Sequence, residues 1–187
     1  HLLFIGSNRV ARKVAAQAAK NLVPTTLELG GKSPTIIGTN ANMALAAERI
    51  LFSKTLNAGQ ICLSPDYIFV KKDEERNLIS ELKKAYSKFF PEPNSHNQTS
   101  MVNQHHFKRM NSYLLDATKK GATVESLGKN DDHNKNMIST KIVTEVNDSM
   151  DVMKHEIFGP VLPIMTYESI SDVVDYINKN DNPLGLY

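Results

Sequence analysis

With 187 residues, 41% of them hydrophobic and 22% charged, the chain has the make-up of a globular domain with one packed core, or of one domain plus a piece of another, and not of a disordered segment. A net charge of +2 without a basic block excludes nucleic acid as the expected partner. A single cysteine excludes an internal disulfide framework and makes a reducing, intracellular compartment the default, and no apolar run approaches the roughly 20 residues that span a bilayer.

Along the chain, strands alternate with helices. Residues 2–5 are expected as a short buried strand. Ser7 or Asn8 can cap a following helix that carries Val10, Val14, Ala18 and Leu22 on one face and ends at Pro24. Residues 25–29 and 34–37 read as extended, joined by a tight turn at Gly30 and Gly31. Asn42 can cap a second helix, in which Leu45, Ile50, Leu51 and Leu56 recur at helical spacing until Gly59 stops it. A strand over 67–70, an amphipathic helix over 73–89 and a polar loop over 91–100 come next. The helix over 103–120 uses Phe107, Met110, Leu114 and Leu115, and Gly121 is placed to end it. Strands over 122–127 and 138–143 flank a polar loop and lead to an acidic turn near Asp148 and Asp151. A last strand over 161–167 precedes a helix capped by Ser169 or Ser171 that carries Val173, Val174, Tyr176 and Ile177. This alternation predicts an α/β layered domain with a largely parallel sheet.

Cys62 lies in Asn57-Ala58-Gly59-Gln60-Ile61-Cys62-Leu63-Ser64-Pro65-Asp66-Tyr67, a turn-prone stretch between regular segments. A lone cysteine usually serves as a small buried hydrophobe. Here Gly59 lets the backbone turn sharply, and N–H groups exposed at such a turn favour a thiolate or a developing oxyanion beside them. Glu28, between Leu27 and Leu29, either faces solvent on the opposite side of a strand from its neighbours or is an ionisable group kept in an apolar setting for use. The Gly30-Gly31-Lys32-Ser33 stretch is not a phosphate loop, because Thr26 stands where that motif needs glycine. His155-Glu156-Ile157-Phe158-Gly159 opens like a zinc-protease helix, but Gly159 replaces the second histidine, and adjacent His105 and His106 point apart on a helix, so no metal is implied. Glu156 to Pro160 combines a carboxylate, an aromatic and a Gly-Pro turn before a strand: a loop suited to gripping a flat ligand, or a turn whose Phe158 plugs the core.

In this order, Phe4-Ile5-Gly6-Ser7, Leu27-Glu28-Leu29-Gly30-Gly31-Lys32, Gly59-Gln60-Ile61-Cys62 and Glu156-Ile157-Phe158-Gly159-Pro160 resemble the motifs of the aldehyde dehydrogenase superfamily, over nearly the whole chain. Ser64-Pro65-Asp66-Tyr67, His106-Phe107-Lys108-Arg109 and Asn182-Pro183-Leu184-Gly185-Leu186-Tyr187 resemble its fatty-aldehyde branch, often called class 3. The resemblance implies a three-layer α/β domain of the aldehyde dehydrogenase catalytic type. Residues 1–30 would be the end of the dinucleotide-binding domain and 31–187 the catalytic domain.

Carried over to these positions, the resemblance makes Cys62 the nucleophile. It would attack the aldehyde carbonyl to give a thiohemiacetal that loses hydride to the nicotinamide of NAD, with NADP as the alternative, and leaves a thioester. Glu28 would be the general base that activates water to hydrolyse it. The Cys62 backbone N–H would be one oxyanion donor, the other being a side-chain amide on an upstream segment outside this chain. Glu156 would bind the nicotinamide ribose and Phe158 would pack near the nicotinamide, while Gly6 and Ser7 would lie in the loop opening a helix near the cofactor's phosphates. Gly31 and Lys32 are expected to turn and pack the backbone rather than to take part in chemistry.

The implied substrates are medium- or long-chain aliphatic aldehydes, with aromatic ones as an extension. The implied parent protein is an intracellular homodimer, with membrane association at the endoplasmic reticulum, mitochondrion or lipid droplet left to a segment absent here. The chain starts at His1 without an initiator methionine or signal-like region, and is expected to be a fragment with no measurable NAD-dependent activity alone. Two other readings stay open: a catalytically silent relative used for binding or assembly, and an enzyme that passes the acyl group to coenzyme A. The joint presence of Cys62, Glu28, Glu156 and Phe158 argues against the first, and Glu28, a water-activating base, against the second.

Overall fold

The computed structural model describes residues 1–91 and 98–187, so most of the polar loop expected over 91–100 lies outside the described residues. Two strands, β1 (Leu2–Gly6) and β2 (Thr25–Leu29), pair in parallel as a separate two-stranded sheet, and α1 (Asn8–Lys20) forms the crossover between them. Strands β3 (Pro34–Ile36), β4 (Tyr67–Lys71), β5 (Thr123–Ser126), β6 (Lys141–Thr144) and β7 (Val161–Tyr167) form a five-stranded sheet in the order β3-β4-β7-β6-β5. Every pairing in it is parallel except β5 with β6 at one edge.

Side-chain alternation gives the central strands two apolar faces. Ile68, Val70, Ile142, Leu162 and Ile164 join the cluster of α2 (Met43–Thr55) and α3 (Glu75–Phe89). Tyr67, Phe69, Val143 and Val161 join that of α4 (Gln104–Lys119), α5 (Asp151–Lys154) and α6 (Ile170–Asn178). This is the expected three-layer α/β arrangement. Leu51, Leu78, Leu82 and Met110 are wholly enclosed, and burying a side chain of that size contributes about 1.5–3 kcal/mol.

The helix starts follow local chemistry. Asn42 Oδ1 accepts from Leu45 N–H at 3.1 Å and Asn103 Oδ1 from His106 N–H at 3.0 Å, the capping bonds that open α2 and α4. Ser169 likewise caps α6 through Ser171 N–H, and Gly121, at φ 98°, turns the chain out of α4. Ser7 occupies the cap position of α1, but its side chain makes no capping bond.

Several expectations are corrected. The inward face of α1 is Ala11, Val14, Ala15 and Ala18, with Val10 exposed: the small alanines let the helix lie close to its strands. Leu22 is 91% exposed, because the helix ends before it and Leu22 turns at φ 52° to bring Pro24 back beside β1. Leu45, Leu115 and Val174 are also exposed, since each of their helices buries a narrower stripe than its apolar content suggests, and Leu56 is exposed because α2 ends at Thr55, before it. Asp151, placed in an acidic turn, instead opens α5, a helix too short to register as periodicity. Among the described residues no helix is long and apolar enough to cross a membrane.

Candidate active site

Cys62 is delivered by a backbone that turns against its ordinary hand. After α2, a 3-10 segment over Leu56–Gly59 holds Asn57, Ala58 and Gly59 at φ 50°, 55° and 69°, successive left-handed residues. Each non-glycine residue there costs about 1–2 kcal/mol. Local bonds offset this strain: Asn57 Nδ2 donates to the Gln60 carbonyl at 3.2 Å, and Gln60 returns its N–H and Nε2 to the Asn57 carbonyl at 3.1 and 3.0 Å. A turn closed by Ser64 N–H on the Ile61 carbonyl, at 2.9 Å, then puts Cys62 at its apex. The thiol is half-buried, and the Cys62 backbone N–H has no partner among the described residues, so it is free to donate to an incoming oxygen.

Gln60 fastens this loop to its surroundings. It is buried, its Oε1 accepts from Val102 N–H at 2.8 Å, and its Nε2 also donates to the Ser100 carbonyl at 3.2 Å. Sequence gives Gln60 no task beyond its place in the motif, although a glutamine beside turn residues is a signal for backbone pairing.

Glycines join the motifs to one another. A Cβ on Gly59 would fall 2.6 Å from the Gly159 carbonyl oxygen, so the cysteine loop packs directly on the Glu156–Pro160 loop. A Cβ on Gly30 would fall 2.0 Å from Glu156 Oε1, so the Glu156 carboxylate rests on the backbone that follows β2. Burial pushes the Glu156 carboxyl above the usual carboxylate range and nearby Asp66 adds to this, while the Gly31 backbone amide and the Arg109 and Lys32 charges act the other way. Phe158 is half-buried and left-handed at φ 47°, strain of about 1–3 kcal/mol that the enclosing contacts must hold.

Lys32, expected only to turn and pack the backbone, is an ionic crosslink. Its Nζ pairs with the buried Asp66 and also donates to the carbonyls of Val152, at 2.8 Å, and His155, at 3.2 Å. The segments around Lys32, Asp66 and Glu156 are thereby tied together beside the cysteine loop. Sequence periodicity could not show this, because each partner lies in a different segment.

Lys54 was missed altogether, since a lysine in a helix reads as solvent-facing. It is fully enclosed, with Nζ donating to the Pro65 carbonyl at 2.9 Å. Burial lowers its pKa from 10.5 to about 8, with Asp66 and Glu156 opposing the shift and Lys32 reinforcing it. Below about pH 8 both folded and unfolded chains are protonated and the burial penalty is present in full. Between about 8 and 10.5 the unfolded chain binds more protons than the folded one, so stability rises with pH. Urea unfolding of the protein and its Lys54→Met variant at pH 7.5 and 9.5 is expected to show the unsubstituted protein gaining about 2 kcal/mol relative to the variant. Equal pH dependence of the two would refute this account of Lys54.

The remaining residues lie on the β1–α1–β2 unit. Glu28 is exposed on β2, opposite Ile5 in the register and two residues before the Gly30 seat of Glu156. Gly6 ends β1 opposite Leu29, and Ser7 stands at the head of α1. Among the described residues no hydrogen bond or ion pair joins Gly6, Ser7 or Glu28 to the Cys62 loop, and no group of three or more His, Cys, Asp or Glu side chains could hold a metal ion. The Cys62 and Glu156 loops are brought together, whereas among the described residues no bond ties Glu28 to either of them.

The profile of the Aldehyde dehydrogenase family matches residues 1–187. The chain belongs to the aldehyde dehydrogenase family. It is 43% identical, over its whole length and 40% of the relative's, to a probable coniferyl aldehyde dehydrogenase of Caulobacter vibrioides. It is 34% identical, over its whole length and 38% of the relative's, to mouse aldehyde dehydrogenase family 3 member B2, in keeping with the class 3 resemblance. The substrate-bound state of Staphylococcus aureus AldH superimposes with a TM-score of 0.92 at 37% identity, covering 99% of this chain and 40% of that one. Mycobacterium tuberculosis aldehyde dehydrogenase complexed with NAD+ gives 0.82 at 28% identity, covering 93% and 37%. This aldehyde dehydrogenase chain thus spans about two fifths of the length of the curated relatives it matches.

Proposed function

We propose that this chain is the catalytic part of an enzyme that oxidises aldehydes to carboxylic acids with NAD+, or NADP+ in its place, through a thioester on Cys62. The observation that carries the reading is the half-buried Cys62 thiol at a turn apex whose own N–H is uncommitted, packed against the loop that presents Glu156. The separate β1–β2 sheet supports assigning residues 1–30 to the end of a dinucleotide-binding domain and 31–187 to the catalytic domain.

The residues present fit a nicotinamide dinucleotide. The Glu156 carboxylate carries no ion pair among the described residues and can accept from ribose hydroxyls, Phe158 offers an aromatic surface beside it, and the first amides of α1 lack a side-chain cap, which suits an anionic phosphate next to Gly6 and Ser7. When bound, the nicotinamide supplies the hydride acceptor. Cys62 Sγ attacks the carbonyl carbon, and the Cys62 N–H stabilises the charge growing on oxygen. Glu28 takes a proton from the water that hydrolyses the thioester, freeing the acid.

The substrates proposed are medium- and long-chain aliphatic aldehydes and aromatic aldehydes. Class 3 resemblance supports the former and the coniferyl aldehyde dehydrogenase relative the latter. A homodimeric, intracellular parent protein, with any membrane attachment through a segment outside this chain, follows from the resemblance alone. The test offers the full-length enzyme aliphatic aldehydes of graded length and a cinnamyl-type aldehyde with NAD+ or NADP+, with and without coenzyme A. Reduced cofactor and free acid are expected without coenzyme A, and no turnover from residues 1–187 alone. Strict coenzyme A dependence would replace hydrolysis by acyl transfer, failure to oxidise any aldehyde would leave the silent-relative reading, and turnover by residues 1–187 would overturn the placement of the cofactor domain.

A further inference from the structure

The peptide unit between Glu156 and Ile157 is held at both ends by charged side chains. Arg109 Nη1 donates to the Glu156 carbonyl oxygen at 3.2 Å, and Asp66 Oδ1 accepts from the Ile157 N–H at 2.8 Å. The carbonyl oxygen and N–H of one peptide are rigidly coplanar and point in opposite directions, so a guanidinium on the first and a carboxylate on the second resist rotation of that plane. Its orientation sets the backbone torsions on both sides. On one side it fixes where Glu156 projects, onto Gly30, and on the other it starts the chain into the left-handed Phe158.

Both jaws are themselves held. Asp66 is 3% exposed, pairs with Lys32 and gives its own N–H to the Ser33 carbonyl at 2.8 Å, which locks it just before β4. Arg109 lies over the Tyr113 ring, 5.3 Å from its centroid, and shares a 3.3 Å contact with His106 Nδ1. Asp66 follows Cys62 by four residues in a loop pinned by Lys54 and Tyr187, whose hydroxyl donates to the Leu63 carbonyl at 2.8 Å. The jaw that orients Glu156 therefore belongs to the segment that carries the thiol.

We propose that Arg109 and Asp66 are positioning residues that clamp the 156–157 peptide and thereby hold the Glu156 carboxylate in place for the nicotinamide ribose. The inference rests on the reading of Glu156 as a ribose ligand. Neither clamp residue touches substrate or cofactor; each acts through Glu156.

The test uses the full-length enzyme and the variants Arg109→Met, Arg109→Lys, Asp66→Asn, Glu156→Ala and the double variant Arg109→Met with Glu156→Ala. Arg109→Met is expected to raise the KM for NAD+ about tenfold while the aldehyde KM stays within about twofold, and Arg109→Lys, which keeps a donor, to recover part of the loss. Asp66→Asn keeps an acceptor but not the charge; an increase of about threefold is expected. In the Glu156→Ala background, Arg109→Met should add nothing, because the group it positions is gone. The clamp is overturned if Arg109→Met raises the KM for NAD+ by the same factor with and without Glu156, or if both Arg109→Met and Asp66→Asn lower the melting temperature and leave that KM unchanged. Should Arg109→Met not fold, Asp66→Asn in the same two backgrounds decides the question. A Glu156→Ala enzyme with unaltered KM for NAD+ would instead remove the ribose role of Glu156 and the clamp's purpose with it, an outcome visible without any clamp variant.

Discussion

Cys62→Ser in the full-length enzyme is expected to lower aldehyde oxidation at least about a thousandfold while leaving the fold intact. Serine matches the size of the cysteine, and the half-buried thiol makes no hydrogen bond among the described residues, so the turn at Ile61–Ser64 keeps its 2.9 Å closing bond. The melting temperature should barely move, since a substitution that removes no buried contact falls within about 0.5 kcal/mol. Chemistry is lost because a hydroxyl is a far weaker nucleophile than a thiol, and among the described residues no base is bonded to position 62 to activate it. The free N–H of residue 62 remains in the variant, so oxyanion stabilisation alone is not enough to restore rate. The measurement is reduced cofactor formed per enzyme, with a thermal melt as control. Steady turnover without the cysteine would sink the covalent mechanism.

How much of this was legible in the sequence depended on the range of the interaction. Caps and turns were readable because their partners are near neighbours: Asn42 to Leu45, Ser169 to Ser171, and Gly121 after α4. The strands of the central sheet were readable because β4 and β7 alternate between two apolar faces. Helix faces fared worse. Val10, Leu45 and Leu115 are apolar but exposed, because composition reports which residues could be buried and the opposing surface decides which are.

The candidate site divides in the same way. Cys62 and Glu156 stood out as chemistry within recognisable stretches. The groups that hold them did not: Lys32 reaches across to Asp66, Arg109 to Glu156 and Gln60 to Val102, and each pairing joins segments at least 34 positions apart. Lys54 shows the same limit from the other side, since only the folded chain reveals that its ammonium is enclosed. The motif glycines belong with this group. Gly30 and Gly59 could be read as turn-formers, whereas their packing function lies in what approaches them, Glu156 and Gly159.

Glu28→Gln separates the two readings of that residue more sharply than any static feature. On β2 the residue follows the strand's alternation, exposed between half-buried Leu27 and Leu29, and its side chain carries no ion pair or hydrogen bond among the described residues. Such a position suits a purely solvating carboxylate, and equally one left uncommitted to meet a water at the thioester. Glutamine keeps the length and polarity of the side chain but cannot accept a proton at neutral pH, so the fold should be unchanged whichever reading holds. If Glu28 is the base, the full-length variant will release about one equivalent of reduced cofactor per site in the first turnover. It will then stall about a hundredfold or more below the unsubstituted rate, the usual range for loss of a general base. The acyl group should remain on Cys62, visible as added mass on the peptide that contains it. If Glu28 only solvates the strand, the steady rate will change less than about twofold and no acylated Cys62 will accumulate. The first turnover tests Cys62 and the second tests Glu28, so a burst followed by a stall assigns attack and hydrolysis to different residues within one experiment.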